Sequence, residues 1–150
     1  MKKKILFNKK IFYNYKIIKT LNAGLVLKGW EIKSIRSNNV NIENSYISIY
    51  KKNIFLMNFK INILKSHYKY INYEKYRKIK LLLKKNEILY LLNKIKKDNL
   101  TIIPIHMFWK KFLCKLKIGL SKGIKKIDKR YIKKKREWQI KKLRIIKNFK

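Results

Sequence analysis

The stretch from residue 122 to residue 150 most constrains how this chain can fold. It carries 14 Lys or Arg against only two acids, Asp128 and Glu137. A segment of such like charge cannot collapse on itself in water unless a polyanion neutralises it. Tyr131, Trp138 and Phe149 add flat apolar rings to that charge. The stretch therefore indicates a partner that is both negatively charged and able to stack on aromatic rings, as RNA is.

The whole chain shares this charge imbalance, with 42 Lys+Arg against 7 Asp+Glu and a formal net charge of +35. The prevalence of Lys, Ile and Asn is typical of AT-rich codon usage. That bias does not explain the shortage of acids, because the codons for Asp and Glu suit an AT-rich genome as well. The charge balance therefore favours nucleic acid over the two alternatives, an anionic membrane surface and an acidic protein partner.

Composition indicates a folded domain: 47% of the residues are hydrophobic and 13% are aromatic. The single cysteine, Cys114, excludes an internal disulfide and fits a reducing cytoplasm. The basic residues 2–4 resemble the start of a signal peptide, but the apolar residues 5–7 are followed at once by Asn-Lys-Lys. We therefore expect a cytoplasmic protein that does not bind a membrane.

Several segments show strand periodicity. Residues 46–50 and 54–63 are rich in Ile, Phe and Tyr, and the short turn between them predicts a hairpin. Residues 101–108 form another strand, in which Pro104 indicates an edge strand or a bulge. In the last strand, Lys115 and Lys117 are predicted to face outward. Phe112, Cys114, Leu116 and Ile118 of the same strand are predicted to face a core. In the second strand of the hairpin, one face is predicted to carry Phe55, Met57, Phe59, Ile61 and Ile63.

Helical periodicity is clearest at Leu81, Ile88, Leu92 and Ile95, and Asp98-Asn99 interrupts the chain after them. Residues 24–36 alternate like a strand in their first half and fit a short helix in their second. These elements predict a mainly β, α+β fold built around a small barrel.

A domain boundary is expected near Gly123, because the strand-like spacing of apolar residues stops there. Residues 1–123 would form the body and residues 124–150 a basic tail. Tyr131, Trp138 and Ile145, seven residues apart, would share one face of a helix. We expect this tail to be disordered alone and to fold on a polyanion. A helix docked on the body is the alternative.

No enzyme site is evident in the sequence. Neither His67, in a polar loop, nor His106, in a strand, has a partner at metal-ligand spacing, and the acids are scattered. Cys114 is expected to be buried and inert. Gly119 and Gly123 fit either a close approach of backbone N–H groups to a phosphate or turns at a strand end. We therefore expect no catalytic residue, no metal and no cofactor, and instead a surface that binds phosphates.

Six segments, in order along almost the whole chain, make the sequence similar to the small protein B family, the bacterial SsrA-binding proteins. They are residues 23–36, 41–46, 77–83, 109–123, 128–130 and 136–139. The resemblance implies an antiparallel barrel of the oligonucleotide-binding type with flanking helices. It also implies that the protein binds the tRNA-like part of transfer-messenger RNA and delivers it to stalled ribosomes. Elongation factor Tu would be reached through that RNA, and the tail would enter the decoding site and the empty mRNA channel.

The resemblance and the charge pattern together give two sets of candidate RNA-binding residues. Three positions depart from the family's usual residues: Asn22, where an acid is common, Lys84, where Asn is common, and Ile127, where His or Tyr is common. The rival function is a ribosomal or ribosome-assembly protein that binds rRNA; a third is a cationic tail on a membrane. The candidates are, in the body, Ala23, Gly24, Glu31, Lys33, Ser34, Arg36, Lys115, Lys117, Lys122 and Gly123, and, in the tail, Asp128, Lys129, Arg130, Tyr131, Arg136, Trp138 and Ile145.

Overall fold

A computed structural model describes residues 3–63 and 76–148 of the chain. Within these residues the fold alternates strands with four helices, the longest of them at the C-terminus. The elements are β1 (Lys3–Phe7), α1 (Ile11–Asn14), β2 (Tyr15–Leu25), α2 (Gly29–Arg36), β3 (Val40–Asn41), β4 (Tyr46–Tyr50), β5 (Asn53–Met57), β6 (Lys60–Ile61), β7 (Ile79–Leu82), α3 (Lys85–Asp98), β8 (Thr101–Lys110), β9 (Leu113–Gly123) and α4 (Lys126–Asn148).

Seven of the strands form one antiparallel sheet in the order β1-β8-β9-β2-β7-β5-β4, and β3 pairs with β6 separately. The sheet curls, since its last strand, β4, comes back against β8. Its inner side holds the apolar core; one cross-strand row there is formed by Met107, Leu116 and Ala23, all fully buried. The predicted mainly β, α+β barrel is confirmed.

The predicted hairpin of β4 and β5 is confirmed, but the prediction that the apolar residues of its second segment share one face is wrong. Lys51 and Lys52 both have positive φ, as a two-residue turn between twisted strands requires. In β5 the buried side chains are Ile54 and Leu56, whereas Phe55 and Met57 are only half-buried.

The reason is Asn58, whose φ of 53° interrupts the strand after Met57. A break of one residue exchanges the two faces of a strand. Phe59, Ile61 and Ile63 are therefore buried, on the opposite alternation from Phe55 and Met57.

Helix α3 begins at Lys85, so the prediction that Leu81 belongs to it is wrong. Leu81 lies in β7 and is buried in the core. The helix buries Leu91 and packs Ile88 and Ile95 against the same core. It ends at Asp98, followed by Asn99 in the left-handed conformation, which is a common way for a helix to terminate.

Strand β8 lies between β1 and β9, so Pro104 is not on an edge strand. Its alternative, a bulge, is confirmed by a register shift between Pro104 and His106. Beyond the tip of this hairpin, Phe112 is 90% exposed, so its predicted place in the core is wrong. It precedes β9 in the turn, where a side chain has no opposing strand to cover it.

Gly119 lies in the middle of β9, opposite Thr20 on one side and Ile103 on the other, so it does not form a strand-end turn. A Cβ atom there would lie only 2.9 Å from Cδ1 of Ile105. Gly119 therefore leaves room for the Ile105 side chain to pack against β9. Gly123, in contrast, is the last residue of β9.

A buried ion pair joins α2 to the start of β7. The carboxylate of Glu31, fully buried, accepts hydrogen bonds from Nε and Nη2 of Arg77 at 2.8 and 2.7 Å. It also accepts one from the backbone N–H of Lys28 at 2.6 Å, which caps the first turn of α2. Arg77 in turn donates to the carbonyl of Val26 at 3.1 Å. The pair therefore holds the β2–α2 loop, the helix and β7 together.

We predict that Arg77→Ala lowers the free energy of unfolding by about 3 kcal/mol, because it leaves the Glu31 carboxylate buried without its cation. Lys94→Ala is the control, since it removes an exposed ion pair with Asp98 and should have a much smaller effect on the free energy of unfolding. Urea denaturation followed by circular dichroism measures both. Equal effects of the two substitutions would show that the Glu31–Arg77 pair is not a structural link.

Candidate nucleic-acid interface

The outer face of the sheet carries the candidate lysines of the body. Lys117 of β9 lies opposite Asn22 of β2 and opposite His106 of β8, which in turn pairs with Phe7 of β1. Residues opposite each other in a sheet share a face. These four side chains therefore form one row across four strands.

A second outer row runs beside the first. Lys115 lies opposite Phe108 on one side and Gly24 on the other, and Gly24 pairs with Leu82 of β7. The prediction that Lys115 and Lys117 face the same outer side is confirmed. Both side chains are half-buried. Their methylene groups therefore lie along the sheet, while their ammonium groups extend into the solvent.

A cleft of about 560 Å³ opens at the hairpin end of β9. Gly24 and Lys115 line it together with Asn22 and Lys84, two of the three positions that depart from the resemblance. Both of those side chains are exposed. The cleft is completed by the tip of the β8–β9 hairpin and the junction of β7 with α3.

Arg36, the last residue of α2, extends the positive charge of this region. Its guanidinium lies 5.7 Å from the centre of the Trp109 ring, a cation–π contact that holds it near the cleft. Lys33, one turn earlier on α2, is also exposed. The structure thus brings Gly24, Arg36 and Lys115 into one neighbourhood.

Three of the candidates have buried side chains. Ala23 belongs to the core row, Glu31 pairs with Arg77, and Ser34 is 1% exposed on the inner side of α2. None of these side chains is placed to contact a ligand on the outer face. What they do is position the elements that carry Gly24, Lys33 and Arg36.

The other end of β9 forms a separate groove of about 670 Å³. Lys122 lies opposite Lys16 there, and both are exposed. Gly123 and the exposed side chains of Lys125 and Asp128 line the same groove, where the tail leaves the body. Gly24, Arg36 and Lys115 therefore lie near one end of β9, and Lys122 and Gly123 lie at the other end.

The tail forms the helix α4, whose root is tied to the body through Asn14 at the end of α1. The backbone N–H of Ile124 donates to the Asn14 carbonyl at 2.9 Å, and Nζ of Lys129 donates to Asn14 Oδ1 at 2.8 Å. Nζ of Lys129 also lies 5.7 Å from the centre of the Tyr13 ring. These contacts direct the first turn of the tail.

Beyond that turn, the apolar side chains of α4 that the structure describes are exposed. Trp138 is 64% exposed, and its ring has the ammonium of Lys142 5.5 Å from its centre. The side chain of Ile127 and the whole of His67 lie outside the described part of the chain. The other tail candidates are also exposed, except for half-buried Lys129: Asp128, Arg130, Tyr131, Arg136 and Ile145.

Within the described residues, no group of three or more His, Cys, Asp or Glu is placed to hold a metal ion. Burial raises the pKa of the Cys114 thiol to about 12, so the sulfur stays protonated near neutral pH and is a poor nucleophile. None of the described helices combines the length and the apolar character that a membrane span needs.

Sequence reasoning missed Asn14 and Lys16. The contact of Asn14 with Lys129 joins residues far apart in the chain, and it exists only because β2 and β9 pair along their length. Lys16 could have been found from its charge, but only the register places it opposite Lys122.

Residues 5–148 match the family described as SmpB protein. An SsrA-binding protein of Buchnera aphidicola (subsp. Acyrthosiphon pisum, strain APS) is 48% identical over 147 residues, which cover 98% of this chain and 91% of that protein. Another, from Mycoplasma mycoides, is 47% identical over 144 residues, covering 93% and 95%. A third, from Cupriavidus necator, is 39% identical over 140 residues and covers 93% of each chain.

The fold is similar to a chain in a solved structure described as "tmRNA-SmpB: a journey to the center of the bacterial ribosome". The TM-score is 0.65 and the sequence identity 33%, with 81% of this chain and 85% of that chain covered. Sequence and fold thus agree over nearly the same length.

We predict that the tail of the free protein exchanges its amide hydrogens quickly and is cut by trypsin before the body. The physical reason is that α4 combines many like charges with exposed apolar side chains and therefore has little packing to hold it. Hydrogen exchange read by mass spectrometry measures this directly, with β9 as the protected reference. Slow exchange from residue 131 to residue 146 would instead establish a docked helix.

Proposed function

Because the chain belongs to the SmpB family, we propose that it binds the tRNA-like part of transfer-messenger RNA and carries it to ribosomes stalled without a stop codon. The observation that carries the proposal is the family match over residues 5–148, found on a fold whose outer face displays Lys115 and Lys117. The protein acts as an adaptor between two RNAs, and its chemistry is binding rather than catalysis, without metal or cofactor.

The body holds transfer-messenger RNA through the cleft and the lysines of β9. Lys115 and Lys117 bind phosphates, while Gly24, opposite Lys115, leaves room for the RNA backbone to approach the sheet. Arg36 and Lys33 contribute from α2, and Lys122 from the groove at the tail root. Ala23, Glu31 and Ser34 support this surface from beneath.

Asn22 and Lys84 give the cleft a more positive edge than the family's usual acid and amide would. A phosphate group of the RNA therefore binds there more favourably. An N–H group of a nucleobase, in contrast, finds no carboxylate at position 22 to accept its hydrogen bond. In this chain the cleft accordingly reads the RNA more through its backbone than through base edges.

The tail occupies the empty mRNA channel and reaches the decoding site of the small ribosomal subunit. A helix of 23 residues extends for about 35 Å, long enough to reach well away from the body. Its cations, Lys129, Arg130 and Arg136 among them, face the rRNA walls, and Tyr131, Trp138 and Ile145 provide apolar contacts. Asp128 lies in the first turn of the helix, where an acid favours helix formation.

The remaining partners follow from this arrangement. The protein works as a monomer in the cytoplasm, and it meets elongation factor Tu only through the shared RNA. Its excess of Lys and Arg repels other positively charged proteins. The same excess makes the affinity for RNA strongly dependent on the salt concentration.

We predict that the double substitution Lys115→Ala and Lys117→Ala weakens binding to a tRNA-like transcript by about tenfold or more. It should also flatten the dependence of log K on log salt by roughly one to two units, because one counterion release is lost with each phosphate contact. Filter binding over a series of salt concentrations measures both quantities. Lys96→Ala with Lys97→Ala, two exposed positions on α3, removes the same charge elsewhere and should have a much smaller effect. Equal effects of the two doubles would mean that only net charge matters.

We predict that truncation after Gly123, which removes the last 27 residues, leaves a folded body that still binds the transcript. The core is complete at that point, because β9 ends at Gly123. The shortened protein should fail to support peptide tagging in a reconstituted assay with stalled ribosomes. Trp138→Ala with Ile145→Ala should reduce tagging more mildly. Tagging by the truncated protein at the full rate would contradict the role given to the tail.

A further inference from the structure

Two phenylalanines near the N-terminus form an exposed stacked pair. The rings of Phe7, at the end of β1, and Phe12, in α1, have centroids 5.4 Å apart and planes inclined by only 17°. Phe7 is 45% exposed and Phe12 is 49% exposed. Half of each ring surface is thus left in water, although the two rings are already ordered against each other.

This pair, which we call the aromatic pair, is continuous with the outer row of Lys117. Phe7 lies opposite His106, with ring centroids 6.3 Å apart, and His106 lies opposite Lys117. Phe7, Phe12, His106 and Lys117 line one pocket of about 190 Å³. A flat ring that enters this pocket meets aromatic surface and an ammonium group together.

Phe12 also borders the groove at the tail root. That groove is lined by Lys16, Lys122 and Lys125. Phe12 therefore borders two sets of cations: Lys117 in the pocket and these three lysines in the groove. Within the described groove lining, Asp128 is the one acid. Such a combination is complementary to a nucleotide, whose base is flat and whose neighbouring phosphates are negative.

We propose that the aromatic pair is a stacking site for one unpaired base of the bound RNA, with Lys117 and the pair Lys16 and Lys122 holding the phosphates on either side. The proposal rests on the proposed function, which supplies the RNA, and adds a contact outside the cleft. It makes the N-terminal segment part of the binding surface, joined to the cleft through the row Phe7, His106, Lys117 and Asn22.

The substitutions at Phe12 separate stacking from apolar contact. Phe12→Ala removes the ring, Phe12→Leu keeps apolar volume without a flat face, and Phe12→Trp keeps a larger flat face. The control is Tyr50→Ala, which removes an aromatic ring that is 64% exposed on β4, at the other end of the sheet order. Binding of each full-length variant to the tRNA-like transcript is measured by filter binding, with Lys115→Ala and Lys117→Ala in the same series. Circular dichroism melting verifies that each variant is folded.

We expect Phe12→Ala and Phe12→Leu to weaken binding by about tenfold, and Phe12→Trp to bind within about twofold of the unsubstituted protein or more tightly. Tyr50→Ala should have no effect. Photo-cross-linking of the RNA, followed by peptide mapping, should place a cross-link within residues 7–12.

Four results would overturn the stacking site. Phe12→Leu that binds like the unsubstituted protein would show that no ring is needed. Unchanged binding by Phe12→Ala, beside a clear loss in the lysine double variant, would remove this site while leaving the proposed function intact. If neither Phe12→Ala nor the lysine double variant changed binding to the transcript, the stacking site and the proposed function would both be wrong. Concentration-dependent dimerisation that Phe12→Ala abolishes would assign the pair to a second copy of the chain instead.

Discussion

The structure depends on the alternation of side chains along β9. This strand pairs with β8 over nearly its whole length and with β2 over the same stretch, so it lies at the centre of the sheet. On its inner side Cys114, Leu116 and Ile118 close the core, and on its outer side Lys115 and Lys117 face water. Because the period of a strand is two, alternate residues of this one strand bury the core and display the charge.

A chain with a net charge of +35 repels itself, and the fold limits the cost by keeping its few acids for local structural work. Glu31 and Glu87 occupy the third position of α2 and α3, and each accepts a hydrogen bond from the backbone N–H that precedes its helix. Glu43 pairs with Lys10 and Asp98 with Lys94. These four acids thus stabilise helix starts and connections between elements.

How much the sequence predicted depended on whether local pattern or tertiary contact decided the outcome. The β4–β5 hairpin, the bulge at Pro104, the end of α3 at Asp98 and the outward lysines of β9 followed from local pattern. The predictions failed where one residue changed the pattern. The backbone turn at Asn58 exchanged the buried and exposed positions for the residues that follow β5. Leu81 fits the helical period of α3 by chance, but it lies in β7.

The candidate site divides in the same way. Charge identified Arg36, Lys115, Lys117 and Lys122, and the family resemblance added Lys33; these side chains all reach the surface to some extent. Charge could not show that Glu31 is buried against Arg77, because residues 46 positions apart meet only after β7 joins the sheet. The aromatic pair was equally invisible, since Phe7 and Phe12 stack only where β1 turns into α1 beside β8.

The sequence by itself indicated an RNA partner, the alternation of β9 and the end of the strand pattern at Gly123, because charge density and side-chain period are properties of neighbours in the chain. Only the tertiary structure decided which charged groups are free to bind and which are part of the frame. It also decided that the candidates form two places at the ends of one strand, with the root of the tail tied to Asn14. The physical reason is that strand pairing brings together distant residues whose proximity no local pattern encodes.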